Sequence, residues 1–70
     1  MSREEMLLRF GYYCGLAERL LNDASYSRRW WGHAEDITEE IYWTAVAKIC
    51  ARLVDAGLIA ADEDPWESRL

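Results

Sequence analysis

The sequence predicts an all-α protein: an antiparallel two-helix hairpin with a Trp-rich connection and an acidic C-terminal tail, two copies of which pair as a four-helix bundle. Three observations lead there. Apolar residues recur at helical spacing in two long stretches, centred near residues 14 and 48. In the second stretch Tyr42, Trp43, Val46, Ile49, Cys50, Leu53 and Val54 span roughly 140°, and Ala45, Ala47 and Ala56 widen the arc to about 200°. One packing face needs only about 100°, so this helix asks for more than one neighbour. Finally, the 70-residue chain is 51% hydrophobic and holds four Trp, four Tyr and one Phe. That is rich in large apolar groups for a single domain (1–70) near the lower limit of self-sufficient cores, and it points to a second chain.

The first helix is expected over about residues 3–25. Ser2 and Glu5 form a capping-box pattern, and Glu4 and Glu5 lie where the helix dipole favours acids. Met6, Leu7, Phe10, Tyr13, Cys14, Ala17, Leu20, Leu21 and Ala24 fall within an arc of ~140°. Gly11 and Gly15 cost ~1 kcal/mol each relative to Ala. They are either exposed weak points or a Gly-x-x-x-Gly groove that a backbone or a bulky aromatic approaches. Leu8, Tyr12 and Leu16 make a second apolar stripe nearly opposite the first, a candidate binding patch.

Residues 26–37 are expected to connect the helices. The link is longer than the usual 2 to 8 residues or so and carries Arg28, Arg29, Trp30 and Trp31. Neighbouring tryptophans cannot face the same way in regular structure. One can cap the open end of the core while the other is exposed or meets a partner, and a short extra helical turn also fits here. Arg and Trp are the types enriched at binding hot spots.

The second helix is expected over about 38–56. Asp36-x-x-Glu39 resembles a capping box, and Thr38 is an alternative N-cap with Ile37 and Tyr42 as a hydrophobic staple. Gly57 suits the left-handed position that ends a helix, with Leu58 placed to touch Leu53. Residues 58–70, acidic and containing Pro65, are expected to be an extended tail from which Trp66 can fold back.

Thirteen acidic against eight basic residues give a net charge of −5, which opposes attraction to nucleic acid. No apolar run reaches the ~20 residues of a membrane span. The charged N-terminus is not a signal sequence, so the expected compartment is the cytoplasm of a cell or of an infected host. Cys14 and Cys50 read first as free core thiols, brought close by the antiparallel register, and second as a disulfide staple. The single histidine, His33, assembles no nucleophilic triad, and His33, Glu35 and Asp36 lack the spacing of a zinc site. No phosphate-binding loop is present either. Neither an enzyme nor a cofactor is expected.

Residues 47–59, Ala-Lys-Ile-Cys-Ala-Arg-Leu-Val-Asp-Ala-Gly-Leu-Ile, resemble the last helix and exit turn of winged-helix domains. The resemblance implies a hairpin after Gly57 and DNA contacts from Lys48, Arg52 and the Arg28-Arg29 pair. Beyond Ile59, however, this chain is acidic rather than basic and strand-like. The leading expectation is therefore a protein-binding module: a small regulator or inhibitor, of the kind phages and mobile elements encode, that occupies a surface of a larger protein. A DNA-associated regulator and a structural homo-oligomer are the alternatives. Partner contact is expected at Arg28, Arg29, Trp30, Trp31, Leu8, Tyr12 and Leu16. The dimer interface is expected at Tyr42, Trp43, Val46, Cys50, Leu53 and Val54.

Overall fold

A computed structural model describes residues 1–69 as four helices with no strands: α1 (Arg3–Leu21), α2 (Ala24–Trp31), α3 (Glu39–Asp55) and α4 (Pro65–Ser68). The protein is thus all-α, and no described helix is long and apolar enough to cross a membrane.

Local chemistry sets the boundaries. The Ser2 hydroxyl accepts from the Glu5 N–H at 3.1 Å, satisfying one of the unpaired donors at the start of α1. α1 stops at Leu21 rather than 25 because Asn22 adopts a left-handed backbone (φ 53°), a conformation Asn tolerates better than most residues. Asp23 then accepts from the Tyr26 N–H at 3.1 Å and starts α2 at once. Where a connection over 26–37 was expected, residues 24–31 are therefore helical, and only the turn after Gly32 links α2 to α3. Thr38 caps α3 through the Ile41 N–H at 3.2 Å. α3 closes in a Schellman motif: Leu58 N–H donates to Leu53 O and Gly57 N–H to Val54 O, both at 2.9 Å, with Gly57 at φ 74°.

The hairpin is not the expected one. Ser27 meets Glu18 at 3.4 Å, and Trp31 lies against Phe10 and Gly11, so α2 runs antiparallel to α1. α3 runs in the same sense as α1: the Met1 amino group is 4.0 Å from Glu39, and Asp23 is 3.9 Å from Arg52. The register expected to bring Cys14 onto Cys50 is replaced as well. Cys14 lines the groove between α1 and α2, and both thiols are free.

The wide apolar arc of α3 finds its neighbours within the chain. Tyr42, Ala45, Val46, Ile49 and Leu53 are buried with Phe10, Tyr13, Leu16 and Ala17 of α1, Tyr26 of α2, and Ile37 and Ile59 from the loops. The residues after Ile59 form neither a wing strand nor an extended tail; Leu70 lies outside the described residues. Asp64, followed by Pro65 at the favoured first position, caps α4 through the Trp66 N–H at 3.0 Å. Its carboxylate also accepts from the Tyr13 hydroxyl at 2.9 Å, while the Tyr12 hydroxyl donates to Pro65 O at 3.0 Å. These bonds fold the C-terminus onto α1.

Two outcomes are expected from this packing. Leu53 is fully enclosed and Trp43 is 53% exposed. Leu53→Asp should abolish the fold, since an unpaired buried charge costs ~4 kcal/mol or more, whereas Trp43→Asp should leave far-UV circular dichroism and the melting temperature nearly unchanged. Tyr13→Phe, which leaves the Asp64 carboxylate with the Trp66 N–H as its remaining donor, should cost about 1.5 kcal/mol in a urea titration and speed amide exchange in residues 66–68.

Candidate functional site

The helix α2 separates two grooves, and its sequence decides which side chains arm each. At ~100° per residue, Ser27, Arg28 and Trp31 turn toward α1, while Tyr26, Arg29 and Trp30 turn toward α3, with His33 coming next in the turn.

The α1–α2 groove has a volume of about 250 Å³ and is lined by Gly11, Cys14, Gly15, Glu18, Ser27, Arg28 and Trp31. The Trp31 ring stacks on Phe10 (centroids 5.6 Å apart, 24° between planes). Two of its carbons lie 3.6 Å from where a Cβ on Gly11 would stand, an ordinary van der Waals contact. Trp31 is nevertheless 47% exposed. Nothing lies within 4 Å of a Cβ built on Gly15, which therefore leaves an open floor beside the indole. Leu8, 65% exposed, occupies the same α1 face, three residues before Gly11 and seven before Gly15. Cys14 is the one thiol in the lining. Burial pushes its thiol up to about 11, which suppresses the reactive thiolate at neutral pH.

The α2–α3 groove, of about 490 Å³, is lined by Tyr26, Arg29, Trp30, His33, Lys48, Ala51, Arg52 and Asp55. The guanidinium groups of Arg52 and Arg29 lie 4.5 and 5.8 Å from the Tyr26 ring centroid. Trp30 packs beside His33 with centroids 6.0 Å apart.

The structure thus divides the Arg28-to-Trp31 run between two surfaces. The second expected patch does not survive as a stripe. Leu8 is exposed, but Leu16 is 1% exposed and belongs to the core. Tyr12 is half-buried under α4, edge-on to Trp66 at 5.3 Å. Among the residues expected at a dimer interface, Tyr42, Val46 and Leu53 are consumed by the chain's own core, Cys50 and Val54 are half-buried, and Trp43 alone is broadly exposed. Among the described residues no group of three His, Cys, Asp or Glu side chains could hold a metal ion. Sequence reasoning missed that Tyr26 and His33 join Arg29, Lys48 and Arg52. The signal that could have found them is Asn22-Asp23, a left-handed cap followed by an N-cap, which turns the presumed connection into a helix.

Compared with known proteins, the chain matches no family model, no curated protein and no solved structure.

These environments generate two measurements. Gly15→Ala should stabilise the fold by about 0.5–1 kcal/mol in chemical denaturation, because the added methyl meets open space and alanine favours the helix. Alkaline titration should do the opposite. Cys14, ordinarily near 9.0, and Tyr13, held far above its usual range by burial and by Asp64, both keep their protons longer in the folded state. Their contribution is intact below about pH 9. The Cys14 share is lost as the pH rises from about 9 toward 11, and the Tyr13 share declines from about pH 10 upward and beyond 11, so the urea midpoint should fall progressively above pH 9.

Proposed function

We propose that this chain is a protein-binding module that contacts a larger protein through the α1–α2 groove, as a small acidic regulator or inhibitor in the cytoplasm of a cell or infected host. The observation that carries this reading is the pairing of an exposed, stacked Trp31 with a glycine floor. Gly15 sits inside a helix in ordinary right-handed geometry, with room for a larger side chain. Nothing in the chain's own packing calls for glycine there, and glycine weakens the helix by ~1 kcal/mol. Close approach by another molecule supplies the reason. Trp31 is already fixed by Phe10, so docking onto it costs little side-chain entropy, and Arg28 beside it offers a planar hydrogen-bonding fork.

A second reading rests on Trp43, exposed and packed edge-on against Tyr42 at 4.9 Å. A homodimer formed through Trp43 and Val54 would cover it. DNA association draws less support, because the net charge is −5 and residues 58–69 form no basic hairpin.

Affinity capture with the wild type and with Gly15→Leu tests the first reading. A partner retained in stoichiometric amount by the wild type should be held at least about tenfold more weakly by Gly15→Leu, with unchanged circular dichroism. Equal retention by both proteins would move the site elsewhere. A stable dimer by light scattering that Trp43→Asp converts to monomer, with no partner retained, would replace it with the second reading.

A further inference from the structure

The α2–α3 groove collects cations that the sequence scatters. The chain has eight Lys and Arg against thirteen Asp and Glu, yet Arg29, Lys48 and Arg52 line this one groove, with Asp55 the only acid in its lining. Among the described residues, neither Arg29 nor Lys48 forms an ion pair, and Arg52 reaches only Asp23, at 3.9 Å. Tyr26 lies beneath both guanidinium groups and so fixes two long side chains before any ligand arrives. Positive charge thus collects beside an aromatic wall of Tyr26 and Trp30, with the small Ala51 also in the lining.

We propose that this groove binds a carboxylate-rich segment of a protein partner, with Asp or Glu side chains on Arg29, Lys48 and Arg52 and an adjoining apolar side chain against Tyr26 and Trp30. It rests on the protein-binding reading above and names the chemistry of the partner at a second surface. Carboxylates supply only acceptors, and they match the guanidinium fork two oxygens at a time. The chain's own acidic stretch is not the occupant. Asp64 is engaged by Tyr13 and the Trp66 N–H, and Glu63 by the Ala60 N–H and the Ser68 hydroxyl. A nucleic acid is disfavoured because a long polyanion reaches past three cations into the field of a chain carrying a net charge of −5. A short acidic segment stays within the groove.

The test is a peptide-display selection on the full chain, followed by fluorescence anisotropy of the labelled selected peptide with the wild type, Lys48→Glu and Gly15→Leu. Lys48 is exposed and unpaired, so its reversal leaves the fold intact. Selected peptides should be enriched in Asp and Glu. Affinity should fall at least about tenfold with Lys48→Glu, and equally when the peptide's acids are replaced by amides. A consensus without carboxylates, indifference to Lys48→Glu, or tighter binding of a short duplex DNA than of the peptide overturns the assignment. Peptides indifferent to Lys48→Glu but lost with Gly15→Leu overturn it while leaving the protein-binding reading in place.

Discussion

The fold turns on a single left-handed residue. Asn22 reverses the chain at the end of α1, and Asp23 caps the next helix one residue later. Had α1 continued to residue 25, Tyr26 would have pointed away from the core and the Arg-Trp run would have been a loop over its open end. The corner instead lays α2 back along α1. That puts Trp31 on Phe10, Tyr26 beside α3, and the start of α3 next to the start of α1. A left-handed backbone disfavours most side chains by ~1 kcal/mol or more, and Asn is among the few that visit it readily. The left-handed backbone conformation of one residue therefore sets the direction of the helices that come after it.

Local rules made the long elements legible in the sequence. Ser2, Thr38 and the Gly57–Leu58 exit each act through hydrogen bonds within a few residues, and the structure shows all of them in place. The short helices were opaque. Eight residues rich in Ser, Tyr and Trp do not hold a helix by propensity, and α2 persists because Phe10, Glu18 and Arg52 contact it. Helix α4 is a single turn whose cap, Asp64, is fixed by a tyrosine 51 positions away. The apolar arc of α3 was legible only in part: Tyr42, Val46 and Leu53 are covered by the chain's own core, while Trp43 stays exposed. The arc's width counts how many neighbours the helix needs, and periodicity carries no information about which chain supplies them.

The candidate surfaces show the same division. The composition of the Arg28–Trp31 run marked it for recognition, yet neighbouring residues of one type serve different faces once the segment is helical. The stripe through Leu8, Tyr12 and Leu16 is broken twice, by the core that encloses Leu16 and by the C-terminal segment that covers Tyr12. Trp66 packs on Tyr12, with Arg9 and Arg69 lying 5.1 and 4.2 Å from its ring centroid, so of that stripe Leu8 alone remains open, beside the two glycines. Glycine contributes no side chain, and its value to a docking surface is visible only when the space above it is known.

The bonds from Tyr12 and Tyr13 to Pro65 and Asp64 also set a schedule for synthesis. They join positions 53 and 51 residues apart, so α1 leaves the ribosome long before the acceptors for its two hydroxyls exist. At roughly 5–20 residues per second, the wait lasts about 3–10 s. A chain cleaved before Asp64 would leave those two tyrosine hydroxyls without their acceptors.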